Sequence, residues 1–228
     1  MKKHLLALDN DGTLSDTKQV LTDVCVEVAG KLGLPLTKEE AENIYFTWDK
    51  KYFGWGKNLE TQRLIYEKIY LPKFFEMVHE QKNLDRVEFF PGVEKVLDEL
   101  YQMGIKLSVV TSSTGNRAKD ILVRKNLLSK FEGGIVSIVD NNFKDKPSTE
   151  ALQLLSEKNN VNPENIIMVD DTVGGIMMGK NFGSKTVGVG YGYNDVKDVI
   201  NAKPDEYIEK VSDIKKLPYI IEKLVKSR

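Results

Sequence analysis

Cysteine, histidine, net charge and long apolar runs are all scarce in this 228-residue sequence, and each scarcity narrows what the protein can be. Cys25 is the single cysteine, so no disulfide can form within the chain, and we expect a cytoplasmic protein. The first apolar run, Leu5 to Leu8, stops at Asp9 and is too short for a signal peptide core or a membrane span. A net charge of −1 provides no basic field for nucleic acid or an anionic membrane, so neither is expected as a partner.

The rest of the composition is that of an ordinary globular protein, with 41% hydrophobic and 29% charged residues. Short apolar runs alternate with segments of helical periodicity, as between Val93 and Leu100. This alternation predicts βαβ units and a parallel sheet. The expected strands are Leu5 to Leu8, Ile105 to Val110, Ile135 to Val139, Asn165 to Val169 and Thr186 to Val189, with a short edge strand at Asp205 to Ile208.

One long interruption separates the first two strands, from about residue 16 to 85, and it contains no clear strand pattern. Apolar positions between Val20 and Leu32 predict one helix, and Thr37 with Glu40 forms a capping box that opens another. A helical insert of this size predicts a separate cap. The expected fold is therefore α/β, with a three-layer Rossmann-like core and parallel sheet over residues 1–15 and 90–228, and a helical cap over 16–89 inserted after the first strand.

Two carboxylates follow the first strand directly, in the motif Leu8-Asp9-Asn10-Asp11-Gly12-Thr13-Leu14. Asp9 and Asp11 at a strand end can share one small target, and Gly12 allows a sharp turn close to a ligand. The alternative is a plain turn, since Asp and Gly favour turns. An EF-hand calcium loop is excluded by spacing, because Ala7 stands where that loop needs an acidic residue.

Three further polar groups end strands or open helices. Thr111 and Ser112 follow the second strand, where hydroxyl and amide groups before a helix form a natural phosphate site. Lys146 opens the next helix, and Asp170 and Asp171 end the fourth strand. Taken singly, each group has an ordinary interpretation: a helix cap, a solvated lysine and a polar strand terminus.

Taken together, the groups indicate a ligand site, because ligands of open α/β sheets bind outside the carboxyl ends of the strands. If the first, second and fourth strands are neighbours, four carboxylates converge there, those of Asp9, Asp11, Asp170 and Asp171. They repel one another unless a cation or protons intervene. A hard divalent ion with oxygen ligands satisfies this arrangement, and Mg²⁺ suits a phosphate substrate.

In this order the four groups resemble the motifs of the haloacid dehalogenase-like hydrolases. Asp9-Asn10-Asp11-Gly12-Thr13 resembles the first motif, and the other three are represented by Thr111, Lys146 and Asp170-Asp171. The stretch from Phe90-Pro91-Gly92-Val93 to Thr111, and Gly190-Tyr191-Gly192 after the fifth strand, resemble the phosphoglycolate phosphatase-type branch. The resemblance covers most of the core and implies a phosphoric monoester hydrolase acting on a small phosphorylated metabolite.

The resemblance also implies how catalysis would divide between two aspartates. Asp9 would be the nucleophile that forms an aspartyl-phosphate. Asp11 would protonate the leaving alcohol and then activate water. True haloacid dehalogenases usually carry Tyr where Asp11 stands, so this residue favours hydrolysis of a phosphate ester over that of a carbon–halogen bond.

The remaining motif residues would bind the phosphoryl group and the metal. Thr111, Ser112 and Lys146 would hold the phosphoryl oxygens. The implied ligands of Mg²⁺ are the Asp9 carboxylate, the Asp11 backbone carbonyl and Asp171, with Asp170 in support.

The fourth motif departs from the common pattern of the family. Many relatives carry Gly-Asp and then another Asp four residues later. Here Asp170 replaces that glycine, and Gly175 occupies the later position. We interpret this as a paired-Asp variant and expect Asp171 to be the direct metal ligand.

Aromatic residues are concentrated in segment 45–55, where Tyr45, Trp48, Tyr52 and Trp55 recur at helical spacing. The favoured interpretation is the core of the cap. The alternative is a lid loop around Trp55 that touches the substrate, with Lys57 or Arg63 binding a second anionic group.

Two other functions stay open. A phosphosugar mutase of the same superfamily would need cap groups that hold a bisphosphate, and no residue identifies such a site. A non-catalytic binding or regulatory module predicts loss of motif residues, all of which are present. Among substrates, phosphoglycolate, sugar phosphates, nucleotides and pyrophosphate are all compatible with the motifs, and both a monomer and a homodimer fit the sequence.

Overall fold

The computed structural model describes residues 4–47 and 55–226. Its strands are β1 (Leu5–Leu8), β2 (Ser15–Asp16), β3 (Glu88–Phe89), β4 (Lys106–Thr111), β5 (Gly134–Ser137), β6 (Ile166–Asp170), β7 (Lys185–Val189) and β8 (Glu206–Ile208). Six of them form one sheet in the order β5-β4-β1-β6-β7-β8, and every neighbouring pair in it is parallel. The expected parallel α/β fold is confirmed.

Helices connect the strands and form most of the insert. They are α1 (Lys18–Lys31), α2 (Lys38–Thr47), α3 (Leu59–Ile65), α4 (Leu71–Val78), α5 (Gln81–Leu84), α6 (Val93–Gln102), α7 (Gly115–Arg124), α8 (Glu150–Asn159), α9 (Val173–Phe182), α10 (Val196–Asn201) and α11 (Leu217–Lys226). A π-helical turn, Tyr66–Tyr70, joins α3 to α4. No described helix has both the length and the apolar character needed to cross a membrane.

Burial explains why the sequence patterns predicted these elements. All four residues of β1 are buried, as expected for a central parallel strand covered on both faces. In α6, the buried residues are the predicted stripe of Val93, Val96, Leu97 and Leu100. A buried apolar cluster packs β1 and β6 against α8, through residues such as Leu5, Met168 and Leu152.

Several strands are shifted by one residue from their predicted bounds, and two elements differ by more than one residue. The third strand ends at Ser137 rather than Val139, because the chain turns there: Asn142 N donates to Val139 O, with Asn142 at a positive φ of 53°. The helix expected to open at Lys146 begins at Glu150 instead. A residue that precedes proline is disfavoured in helical conformation, and Pro147 follows Lys146.

A small antiparallel ribbon was not predicted from the sequence. Ser15 pairs with Phe89 and Asp16 with Glu88, so two segments far apart in the chain run side by side. Strands of two residues are too short to show a periodicity. The chain forms two compact units, and the boundary between them follows this ribbon. One unit comprises Met1–Asp16 and Glu88–Arg228, and the other comprises Thr17–Val87.

The unit Thr17–Val87 has its own apolar core, in which Cys25, Trp55 and Tyr70 are buried. Trp55 Nε1 donates to Pro35 O at 2.8 Å, and its ring lies 4.8 Å from that of Tyr70. The capping box forms as expected, since Glu40 N donates to Thr37 Oγ1 and Thr37 N to a Glu40 carboxylate oxygen. Of the predicted aromatic stripe, only the Trp55 side chain lies within the described residues, and it is a core residue of this unit.

Candidate active site

The strand register brings the polar motifs to one edge of the sheet. β1 lies between β4 and β6, with Leu8 opposite both Val109 and Val169. Asp9 and Asp170 therefore leave adjacent strands at the same level, and Asp9 N donates to Val169 O at 3.0 Å. Thr111 ends the neighbouring strand on the other side. The three strands are neighbours in the sheet, as the predicted convergence of the polar side chains requires.

A buried lysine links two of the carboxylates. Lys146 Nζ lies 2.6 Å from Asp9 Oδ1 and 2.8 Å from Asp170 Oδ2. The three side chains are 7%, 7% and 0% exposed, so these charges interact at low local dielectric. A buried ion pair survives only when its remaining polar atoms are also satisfied. Asp170 meets this condition, because Thr172 donates to its Oδ1 through both N (2.8 Å) and Oγ1 (2.7 Å).

Burial and charge act on this pair in opposite directions. Burial raises the pKa of the Asp9 carboxyl well above its usual range, against the lowering effect of Lys146. For Lys146, burial alone lowers the pKa, but the charges of Asp170 and Asp9 outweigh it and raise the pKa above its ordinary value. Lys146 is therefore a fixed positive charge beside Asp9. Without a further cation, burial disfavours the ionised form of the Asp9 carboxyl.

Asp171 lies in a tight cradle of neutral donors, and no lysine of the described residues has an ion pair with it. Its Oδ1 accepts from Thr13 Oγ1 at 3.1 Å and its Oδ2 from Tyr193 N at 2.8 Å. A Cβ at Gly12 would come within 2.5 Å of Asp171 Oδ2, and one at Gly192 within 2.3 Å, so both positions require glycine. Burial, with the nearby Asp170 charge, raises the pKa of Asp171 to about 7.

The geometry gives a physical reason for the paired-Asp variant. A Cβ at Gly175 would come within 1.8 Å of Asp170 Oδ2, so the Asp170 carboxylate fills the space that a side chain at 175 would need. Gly175 N in turn donates to Thr172 Oγ1, which caps α9. The two replacements noted in the sequence therefore compensate each other: an acid at 170 requires a glycine at 175.

Asp11 is held by a residue that the sequence analysis did not identify. Arg117 Nη2 donates to Asp11 Oδ1 at 2.8 Å, and Arg117 Nη1 to Ser113 Oγ at 3.2 Å. The Arg117 side chain is only 4% exposed. An available signal was its position one turn before Ile121 on α7, since both lie on the buried face of that helix.

The two predicted hydroxyl residues have different surroundings. Thr111 is buried at the end of β4, and its Oγ1 accepts from Ser113 N at 3.0 Å. Ser112 is exposed, and its Oγ donates to Asp145 Oδ1 at 2.7 Å. The same Asp145 oxygen accepts from Lys146 N, so Ser112 connects the loop after β4 to the loop that carries Lys146.

The loop after β7 anchors the first motif through backbone oxygens. Tyr191 Oη donates to Thr13 O at 3.1 Å, and Tyr193 Oη to Ser15 O at 3.2 Å. The Tyr191 ring also packs edge-on against Phe90 at 5.0 Å. Family resemblance had pointed to this loop, but neither tyrosine was assigned a role. Together the two hydrogen bonds fix the turn that carries Asp9 and Asp11.

The acidic cluster fits a hard divalent cation. Within the described residues, carboxylate oxygens of Asp9, Asp170 and Asp171 lie within 4.8 Å of one another, and all three residues are buried. Oxygen donors are the ligands that Mg²⁺ prefers. A cation there would also offset the burial and mutual repulsion that raise the pKa values of Asp9 and Asp171.

Comparisons with known proteins show similarity to phosphatases along most of the chain. A phosphoglycolate phosphatase from Vibrio cholerae is 28% identical, over 88% of this chain and 90% of its own. A phosphorylated carbohydrates phosphatase from Thermotoga maritima is 27% identical, over 90% of this chain and 97% of its own. The structure of a haloacid dehalogenase-like family hydrolase from Streptococcus pneumoniae is 19% identical and shares the fold, with a TM-score of 0.74 over 96% of this chain and 99% of the other.

The resemblance expected from the four motifs is thereby confirmed at the level of the family. The family model of the haloacid dehalogenase-like hydrolases matches residues 6–189, a span that includes the residues of all four motifs. This chain belongs to the haloacid dehalogenase-like hydrolase family.

Proposed function

We propose that this protein is a Mg²⁺-dependent phosphatase that hydrolyses a small phosphomonoester through an aspartyl-phosphate on Asp9. The observation that carries the proposal is the contact of buried Asp9 with Lys146, beside the carboxylates of Asp170 and Asp171. Burying so many charges at one point is costly for folding, and a phosphoryl transfer site is a use that needs them.

Asp9 is the proposed nucleophile. One of its carboxylate oxygens forms a bond to phosphorus as the ester P–O bond breaks, and water later hydrolyses the acyl phosphate. Its position supports this role, because Asp9 N is fixed to Val169 O and its Oδ1 to Lys146. A nucleophile with one orientation avoids the entropic cost of finding it.

Asp11 is the proposed acid and base. It gives a proton to the leaving oxygen in the first step and takes one from the attacking water in the second. Lys146 would neutralise the phosphoryl oxygens, and Thr111 would donate to one of them from the end of β4. Ser112 has a weaker claim to phosphate binding, since its hydroxyl donates to Asp145.

Mg²⁺ would be held by the Asp9 and Asp171 carboxylates and by the Asp11 backbone carbonyl, with Asp170 in support. Between the paired aspartates, Asp171 is the better candidate for a direct ligand, because both oxygens of Asp170 are already held, Oδ2 by Lys146 and Oδ1 by two donors of Thr172, whereas each oxygen of Asp171 accepts one neutral donor. When bound, the metal would supply charge stabilisation for the transferring phosphoryl group.

The substrate class is proposed from the relatives. Their names specify phosphoglycolate and phosphorylated carbohydrates, and a small anionic phosphomonoester of this kind is our first candidate. The buried, unpaired thiol of Cys25 is compatible with the proposed cytoplasmic location. The action of the helical unit as a cap stays a prediction.

The test is phosphate release from a panel of small phosphoesters, with Mg²⁺ and with EDTA, for the wild type and Asp9→Asn. We expect release that requires Mg²⁺ and falls about 10⁴-fold or more in Asp9→Asn. Thermal unfolding of both proteins serves as the folding control. Interconversion of hexose phosphates without net phosphate release would indicate a mutase instead. No reaction with any phosphoester, in a folded protein that binds Mg²⁺, would indicate a binding module.

A further inference from the structure

An arginine on the buried face of α7 has no role in the proposed mechanism, although it contacts a residue that does. Arg117 is 5% exposed, and burying a guanidinium is unfavourable unless its donors are used. The guanidinium is engaged at two of its nitrogens, with Ser113 Oγ on Nη1 and Asp11 Oδ1 on Nη2.

The Asp11 carboxylate depends on this contact for its orientation. Its side chain is 16% exposed, and Arg117 is the partner that the described residues provide for its oxygens. A charge-assisted hydrogen bond of 2.8 Å to one carboxylate oxygen restricts rotation of the side chain. The other oxygen, Oδ2, then keeps a defined direction and stays available for a proton.

We propose that Arg117 is a positioning residue: by holding Asp11 Oδ1, it aims Asp11 Oδ2 at the oxygen that leaves from the substrate. This inference rests on the proposed phosphatase function. In the first step the Asp9 oxygen forms a bond to phosphorus, the ester P–O bond breaks, and the proton on Asp11 Oδ2 moves to the departing oxygen. Arg117 itself transfers nothing.

The main competing role for a buried arginine at such a site is direct binding of the phosphoryl group. The two roles differ in how they depend on the leaving group. A direct phosphoryl contact matters equally for every ester. Positioning of Asp11 matters most for an alkyl ester, whose alkoxide is a poor leaving group that needs a proton, and least for an aryl ester such as p-nitrophenyl phosphate.

The experiment measures kcat/KM of Arg117→Gln and wild type with an alkyl phosphate and with p-nitrophenyl phosphate, both with Mg²⁺. Because kcat/KM covers steps up to release of the first product, it isolates the acid role of Asp11. We expect a loss of about 30-fold or more for the alkyl ester and of about 3-fold or less for the aryl ester. Equal losses for the two esters would overturn the positioning role.

A double variant tests whether Arg117 acts through Asp11. If it does, Arg117→Gln combined with Asp11→Asn should be no slower with the alkyl ester than Asp11→Asn alone, within about 2-fold. Losses that multiply would mean that Arg117 acts on the substrate independently, which contradicts the inference.

Two conservative variants guard against a purely structural effect. Arg117→Lys keeps the charge and should regain part of the alkyl-ester activity. Ser113→Ala removes the Nη1 contact while leaving the arginine, and should show the same ester preference at a smaller size. Loss of folding in Arg117→Gln would leave these two variants to decide, and an absence of ester preference in both would overturn the inference.

Arg124→Gln is the matched control. Arg124 lies two turns further along α7 and pairs with Asp120 at 2.8 Å, so its loss should affect both esters by less than about 2-fold. The wild type separates the two proposals: wild-type release of phosphate with an Arg117 variant that fails the ester test refutes positioning alone, whereas an inactive wild type refutes the phosphatase and the positioning together.

Discussion

The two units of the chain use charge in opposite ways. In the unit Met1–Asp16 with Glu88–Arg228, charged side chains are buried at one sheet edge, among them Asp9, Arg117 and Asp170. In the described part of Thr17–Val87, buried polar residues are uncharged, and ion pairs such as Arg63–Glu67 and Lys73–Glu76 have side chains between 34% and 70% exposed. Within the described residues, the helical unit buries no charged residue, whereas the sheet unit buries several at one edge.

This contrast predicts which substitutions should change the free energy of unfolding most. An exposed ion pair contributes about 0–1 kcal/mol, because water screens it. Removal of one partner from a buried pair costs about 3–5 kcal/mol, because a desolvated charge is left behind. Substitutions of similar chemistry in the two units should therefore differ several-fold in effect, and four experiments test the comparison in descending order of size.

The largest effect on stability is expected at Lys146. Lys146→Gln leaves Asp9 and Asp170 buried without their shared cation, at a cost of about 3–5 kcal/mol in metal-free protein. Burial raises the pKa of Asp9, so its carboxyl binds a proton in the folded chain that it does not bind in the unfolded chain, and the loss should be greater at pH 8 than at pH 5. Urea unfolding at both pH values in EDTA measures it. The exposed Lys144→Gln, in the same loop, should change stability by less than about 0.5 kcal/mol; similar losses for both would break the comparison.

In the helical unit, the largest effect should come from an apolar contact. Tyr70 is 2% exposed and stacks on Tyr66 and Phe74, so Tyr70→Ala should cost about 3–5 kcal/mol. Tyr70→Phe keeps the ring and removes the hydroxyl that donates to Cys25 O at 3.2 Å, so it should cost less, about 1 kcal/mol. Denaturant unfolding measures both. Phosphate release per folded molecule should stay within about 3-fold, and a selective loss of catalysis would show that this unit contributes more than stability.

Metal binding should stabilise the sheet unit in a pH-dependent way. Burial and the Asp170 charge raise the pKa of Asp171 from 3.8 to about 7, so in metal-free protein its contribution to stability falls as pH rises from about 4 to about 7. Mg²⁺ competes with the proton that the folded protein binds at Asp171. At 100 times its Kd it should add about 2.7 kcal/mol at pH 8 and much less at pH 5. Thermal unfolding with Mg²⁺ or EDTA measures the difference, which Asp171→Asn should abolish; an equal shift at both pH values would contradict the assignment.

The smallest effect is expected for an exposed ion pair of the helical unit. Glu27 contacts Lys31 at 3.0 Å and Lys82 at 3.1 Å, and hydrogen bonds from these lysines lower its pKa. A lowered pKa contributes stability that is present near neutral pH and lost as pH falls below about 4. Glu27→Gln should therefore cost about 0.5 kcal/mol or less at pH 7, and nothing in high salt. A cost comparable with that of Lys146→Gln would mean that exposure does not separate the two units.

Much of the core was predictable because its signals are local. The apolar run of Leu5 to Leu8 predicted β1, and the apolar stripe of α6 predicted that helix. Acidic residues at the ends of two strands predicted the candidate site. The strand order could only be assumed. The ribbon of Ser15–Asp16 with Glu88–Phe89 had no local signal, since it pairs segments more than seventy residues apart.

The site was predictable in its acids and not in its supports. Asp9, Lys146 and Asp171 belong to motifs that a sequence displays directly. Arg117 and Tyr193 do not, because a basic residue in a helix and a tyrosine in a loop are usually surface residues. Their contacts to Asp11 and Asp171 exist only after the chain has folded.

By itself, then, the sequence determined the parallel α/β class, the helical insert and the acids of the candidate site, because hydrophobic period and strand-end residues are properties of short segments. Only the tertiary structure decided the partners of those acids: Lys146 between Asp9 and Asp170, the glycine at 175 that makes room for Asp170, and Arg117 beside Asp11. The physical reason is that a charge is stabilised by whatever lies within a few ångströms, and in this fold those neighbours come from strands and helices distant in the chain.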